Sequence, residues 1–131
     1  MRLVITGSPK SGKTTFAHAL ALVLKVPVFH TDDLIEMEWS AASEKASYWF
    51  SRPDPWIIEG TMVPRALRKW RNRSAEGNEE NGLPIPFDRM IVMRTPRIPL
   101  ELQGQRTMQK TVLDLIDSYR GWIGEARWVE L

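Results

Sequence analysis

Arg2-Leu-Val-Ile-Thr6, followed by Gly7-Ser-Pro-Lys-Ser-Gly12-Lys13-Thr14-Thr15, decides the fold. Arg2 to Thr6 is a short run rich in β-branched residues and closed by glycine, the pattern of a buried strand. Lys13 to Lys25 has helical periodicity. Phe16, Ala17, Ala19, Leu20, Val23 and Leu24 form a broad apolar face, and Thr14, His18 and Lys25 a thinner polar stripe. Such a helix packs against a sheet. The loop between them fits G-x-x-x-x-G-K-[ST] in full, with the strand before and the helix after that the motif requires. Gly7 and Gly12 place no Cβ in the path of a phosphate. Successive N–H groups then form an anion nest at the positive end of the helix. Lys13 can reach β- and γ-phosphates, and the Thr14 hydroxyl can ligate Mg²⁺. Gly7, Ser8, Pro9, Lys10, Ser11, Gly12, Lys13, Thr14 and Thr15 are therefore the expected site for ATP or another nucleoside triphosphate.

Working outward, Pro27 to His30 reads as a second strand, Trp56 to Glu59 as a third, and Phe87 to Arg94 as a fourth. Arg127 to Leu131 is a candidate edge strand. Asp33 to Phe50 has weak, broken helical periodicity, with Thr31 or Asp32 as its expected cap. A basic helix is expected from Met62 or Pro64 to about Arg73, and the longest helix from Leu100 to about Tyr119, broken by Gly121 and Gly124. Residues 74–86 are polar and rich in Gly and Pro, and are expected to form a flexible loop. Strand–helix alternation of this kind is the parallel α/β pattern.

Composition bounds the rest. A chain of 131 residues with 43% hydrophobic and 26% charged residues suits one domain, 1–131, with a core of its own. There is no apolar run long enough to span a membrane. The first residues lack the layout of a signal peptide. The absence of cysteine excludes disulfides and thiolate chemistry, and points to a reducing, cytoplasmic setting. A formal net charge of +2 is mild, so contact with nucleic acid requires local clustering of cations.

Ligands of an open parallel sheet bind beyond the carboxyl ends of the strands. His30-Thr31-Asp32-Asp33-Leu34 and Glu59-Gly60 end strands two and three. A carboxylate there faces the phosphate loop and can orient or deprotonate an acceptor hydroxyl. Asp32 and Asp33 are the candidates, although either residue could instead cap the next helix. Glu59 is a candidate for holding a Mg²⁺-bound water or a substrate hydroxyl.

GSPKSGKT, HTDDL, WIIEG and FDRMIVMRTP together resemble the small P-loop kinases: nucleoside-monophosphate, shikimate and gluconate kinases, the kinase domain of polynucleotide kinase, and adenylate-kinase-like topology modulators. The resemblance covers roughly residues 1–120. It implies a three-layer α/β fold with a parallel sheet of order 2-3-1-4-5. It also implies a catalytic Asp at Asp32, carried over from an R-D-D segment, ahead of Asp33. The chain is shorter than these relatives, and the lid, the fifth strand and the adenine-gripping loop are expected to be trimmed. Lid arginines stabilise the transferring phosphoryl group in the family. Arg106 is the first candidate here, with Arg97 and Arg120 behind it.

The acceptor is left open among three readings. Arg65, Arg68 and Lys69 lie near one face of the basic helix with Trp70 beside them. Trp39, Tyr48 and Trp49 fall in the segment that closes over the acceptor in relatives. Arg65, Arg68 and Trp39, with Asp32, are the expected substrate contacts. They favour a nucleotide or nucleic-acid hydroxyl, including a hydroxymethyl-pyrimidine in DNA, because guanidinium groups suit phosphates and aromatic rings suit bases. The alternatives are a small-metabolite alcohol, as in shikimate or gluconate kinases, and a non-catalytic nucleotide-binding module.

Overall fold

The computed structural model describes residues 1–75 and 83–131. In chain order the elements are β1 (Arg2–Gly7), α1 (Lys13–Leu24), β2 (Val28–His30), a 3₁₀ turn (Thr31–Leu34), α2 (Trp39–Ser47), a second 3₁₀ turn (Tyr48–Ser51) and β3 (Trp56–Glu59). They continue with α3 (Val63–Ser74), β4 (Arg89–Met93), α4 (Gln103–Ile123), a third 3₁₀ turn (Glu125–Arg127) and β5 (Trp128–Glu130). The five strands form a single parallel sheet of order β2-β3-β1-β4-β5. This is the expected order, with β5 reduced to three residues.

Side-chain alternation along the strands splits the core into two layers. Leu3, Ile5, Ile57, Ile91 and Met93 face α1 and meet Ala17, with Phe16, Leu20 and Val28 at the margin. Val4, Ile58, Met90, Val92 and Trp128 face the other way, towards α2, α3 and α4. That second layer is the larger one, and holds Trp56, Leu67, Phe87 and Ile116 with almost no exposure. Truncating Leu67 to Ala there would cost roughly 2–5 kcal/mol. No helix among the described residues is long and apolar enough to cross a membrane.

Three expectations shift. The segment after β2 is broken, as expected, into a 3₁₀ turn, α2 and a second 3₁₀ turn, but its cap is Glu38 rather than Thr31 or Asp32. The Glu38 carboxylate accepts from the N–H groups of Ser40 (3.1 Å) and Ala41 (3.2 Å). The long helix passes straight through Gly121, which lies in open space, and stops at Gly124, whose φ is +86°. Of the expected loop at 74–86, Ser74 belongs to α3 and residues 76–82 lie outside the described residues. Its far end is anchored: Trp122 Nε1 donates to the Leu83 carbonyl at 3.1 Å, and Ile85 packs against the main core.

Candidate active site

β1 delivers the chain into a loop that lies tight against β4. Gly7 sits at φ +144°, where a Cβ would come within 2.0 Å of the Met93 carbonyl oxygen. That carbonyl accepts from the Ser8 N–H at 2.9 Å. The Ser8 hydroxyl donates to the Arg94 carbonyl and receives the Gln109 amide at 3.1 Å. Lys10 and Gly12 take positive φ, so the loop coils back on itself and enters α1. Lys13 is only 7% exposed, and its ammonium donates to the Ser8 carbonyl at 3.0 Å across the loop. Burial pushes its pKa below the ordinary 10.5, while the charges of Glu59 and Asp32 act in the opposite direction. A buried cation held by a neutral carbonyl and two distant carboxylates is poised for an anion.

Glu59 ends β3 on the face of the sheet that meets α1, and is 1% exposed. Its Oε1 accepts from the Thr14 hydroxyl at 2.9 Å and from His30 Nδ1 at 2.8 Å. Its Oε2 is buried with no hydrogen-bond partner among the described residues. A carboxylate oxygen without a donor, beside the phosphate-loop hydroxyl, fits a hydrated Mg²⁺, an ion that takes few protein ligands and completes its shell with water and phosphate oxygens. No cluster of three or more His, Cys, Asp or Glu suited to a metal occurs among the described residues. Thr14 and Glu59 are the residues that could hold the cation.

Asp32 and Asp33 are both exposed, but only Asp32 lines the cleft beside the loop. That cleft, of about 330 Å³, is bounded by Pro9, Lys10, Lys13, Asp32, Trp39 and Gln105 among others. Asp32 thus shares one cavity with the loop cations, and Asp33 is not part of its lining. A second cavity of about 220 Å³ shares Trp39, Thr61 and Met108 with the first and runs between α3 and α4. A third shares Arg65, Thr111 and Leu115 with the second and reaches Arg68. The three form one groove leading away from the phosphate loop.

The cations of α3 divide by role. Lys69 donates to the Ser40 carbonyl (2.8 Å) and hydroxyl (2.7 Å), and Arg73 reaches Ser47 (3.0 Å) and Glu44 (3.4 Å), so both bind α3 to α2. Arg71 lies over the Trp122 ring at 4.6 Å, and Trp70 packs 6.3 Å from the same ring. Trp70 is therefore held by packing, not left open to a base. Arg65 lies over Trp39 at 5.5 Å, and both border the groove. Among the described residues neither Arg65 nor Arg68 has a carboxylate within ion-pair distance. Trp49 is buried against Phe29, and Tyr48 lies beneath Arg73 on the outside.

The three arginines considered for the phosphoryl group are far from equivalent. The Arg106 guanidinium turns back to the carbonyls of Leu100 (2.8 Å) and Glu101 (2.9 Å) and to Gln103 (2.9 Å) at the start of α4. Arg120, at the other end of that helix, pairs with Glu125 at 2.7 Å. Arg97 lies at the phosphate loop itself: its N–H donates to the Lys10 carbonyl at 2.8 Å, and its guanidinium lies against Gly12. His30, Thr61 and Gln105 join the site without having been singled out from the sequence. A lone His or Gln carries no spacing signal, and the partner of His30 lies 29 residues away.

No protein-family model matches the chain, and no curated protein matches its sequence. Solved structures do. A gluconokinase from Sinorhizobium meliloti 1021 superposes with a TM-score of 0.61 at 16% identity, over 99% of this chain and 81% of that one. A deoxyadenosine kinase from M. mycoides, with dCMP and dCDP bound, gives 0.59 at 14% identity, over 100% and 89%. A shikimate kinase from Acinetobacter baumannii in complex with shikimate gives 0.57 at 15% identity, over 99% and 82%. With the sheet order and the phosphate loop in place, these likenesses establish that the chain has the fold of the P-loop kinases.

Proposed function

We propose that the chain is a single P-loop kinase domain, 1–131, that transfers the γ-phosphate of ATP to a hydroxyl on a nucleotide or nucleic acid. The carrying observation is that Lys10, Lys13 and Asp32 line one cleft with Trp39. In this reading the acceptor hydroxyl gives its proton to Asp32 as its oxygen bonds to the γ-phosphorus. The bond from that phosphorus to the bridging oxygen breaks, and ADP leaves. The loop N–H groups and Lys13 neutralise β- and γ-phosphate charge, and Arg97 is better placed than Arg106 to add a cation there. Thr14 and Glu59 would hold Mg²⁺, which would supply further neutralisation of phosphate charge when bound. Arg65 and Arg68, which pair with no carboxylate among the described residues, favour an anionic acceptor, and Trp39 offers it a ring.

The test is transfer of labelled γ-phosphate to a panel of nucleosides, nucleoside monophosphates, oligonucleotides, oligonucleotides carrying hydroxymethyl-pyrimidines, and the sugar acids gluconate and shikimate. Labelling of a nucleotide or oligonucleotide supports the reading. Labelling confined to a sugar acid replaces the acceptor, and nucleotide binding without transfer to any acceptor overturns the activity.

A further inference from the structure

Glu59 is buried among groups that treat its two oxygens unequally. The Thr14 hydroxyl and His30 Nδ1 converge on Oε1, and Oε2 has no hydrogen-bond partner among the described residues. Strand register places His30 directly opposite Glu59, so the contact is built into the β2–β3 pairing. The His30 side chain is 14% exposed, and the His18 ring from α1 lies 4.5 Å from it, centroid to centroid. Gly60, next in sequence, leaves room for Thr31: a Cβ there would come within 1.7 Å of the Thr31 hydroxyl oxygen. The ends of β2 and β3 are thus closely fitted.

We propose that His30 is a positioning residue for Glu59, fixing the carboxylate so that Oε2 stays available to a hydrated Mg²⁺ carried in with the nucleotide. This rests on the kinase reading and adds a residue to it. The Nδ1–H of His30 holds Oε1 from one side. The Thr14 hydroxyl holds it from another and still keeps lone pairs for a cation, since a hydroxyl has one hydrogen to donate and two acceptor positions. Lys13 is the competing partner, because its ammonium already feels the Glu59 charge. Without the His30 donor the carboxylate is free to turn to that ammonium. Turned that way, the carboxylate would no longer hold Oε2 for the cation.

The test is binding of a fluorescent ATP analogue, titrated with Mg²⁺ and repeated in chelator, for the wild type and for His30→Phe, His30→Asn and His30→Gln. Partners that orient metal ligands typically contribute about 10–100-fold to metal affinity. His30→Phe should weaken the Mg²⁺ dependence by about that range while chelator-only binding changes little. Asn presents an N–H near the position of Nδ1 and should restore most of the loss. Gln presents its N–H near the position of Nε2 and should not. This Asn–Gln contrast decides the matter even where the Phe variant does not fold. Equal Mg²⁺ dependence in wild type, Asn and Gln variants overturns the role of His30 and leaves the kinase reading standing. Wild-type binding that ignores Mg²⁺ overturns the metal site and the inference with it.

Discussion

The guanidinium of Arg97 lies where a side chain on Gly12 would be: a Cβ built on Gly12 would fall 2.5 Å from Arg97 Nε. A cation is thereby packed onto the last glycine of the phosphate loop, with its own N–H bonded to the Lys10 carbonyl. Arg106 is instead committed to the start of α4.

Arg97→Ala and Arg106→Ala should therefore behave differently. Loss of Arg97 should lower single-turnover phosphoryl transfer by about 10²–10³-fold with the melting temperature almost unchanged. Loss of Arg106 should cost about 1 kcal/mol of stability through its hydrogen bonds and leave transfer within a few-fold of wild type. Transfer rates and thermal melts on the two variants check this. The reverse pattern would return the role to Arg106.

Asp32→Asn keeps the shape of the side chain and loses proton acceptance. It should lower transfer by about 10²–10⁴-fold while ATP affinity holds. Asp33→Asn should be near wild type, since Asp33 is not in the lining of the cleft. Steady-state kinetics with a separate ATP-binding measurement distinguish the two. An unaffected Asp32→Asn enzyme would remove the general base from the scheme.

The β1–loop–α1 unit was legible in the sequence because the motif is local: the residues that fold it and the residues expected to bind phosphate are the same ones. The strand order followed from the resemblance, and the ends of the elements were less accessible. Gly121 reads as a breaker, yet a helical glycine in open space costs only about 1 kcal/mol, which the packing of Ile116, Tyr119 and Ile123 offsets. Thr31 or Asp32 reads as the cap because a short polar residue before a helix often is one, but Glu38 lies nearer the start of α2 and takes the role. Arg97 and His30 could be placed only by tertiary structure. One reaches Gly12 through a loop after β4, and the other meets Glu59 through strand register.

The division of cations on α3 predicts which ones respond to salt. If Arg65 and Arg68 neutralise nucleic-acid phosphates, log affinity should fall against log salt by roughly 0.7–0.9 per contact. Arg65→Ala and Arg68→Ala should each reduce the slope by about one unit, weakening all sequences alike. Arg71→Ala should leave the slope unchanged and lower the melting temperature, since Arg71 lies over Trp122 and Tyr119. Quenching on binding is expected from Trp39 in the groove. Trp70, stacked near Trp122, should contribute little of it. A flat salt response would favour an uncharged, small acceptor.

Asp88 predicts part of the acid limb of stability. Its carboxylate accepts from the Arg2 N–H at 2.7 Å, tying the start of β1 to the chain entering β4, and that bond holds its pKa below the ordinary 3.8. The folded-state pKa is depressed, so the stabilisation is fully present above 3.8 and is lost as pH falls through the lower folded value. The group is partly exposed, and after solvent screening the contribution is under about 1 kcal/mol. Urea unfolding at pH 7 and at pH 3 should show Asp88→Ala and wild type converging in acid. A constant gap between them would contradict the assignment.

Lys13 carries the most direct test. It is buried, its ammonium is bonded to the Ser8 carbonyl, and desolvation holds its pKa below the ordinary value against the charges of Glu59 and Asp32. Transfer of labelled γ-phosphate from ATP to the acceptor panel should be measured for the wild type and for Lys13→Ala, with circular dichroism on both. The expected result is labelled acceptor with the wild type and none above background with a folded Lys13→Ala. Wild-type-like transfer by that folded variant, or no transfer by the wild type to any acceptor, would contradict phosphoryl transfer at this loop.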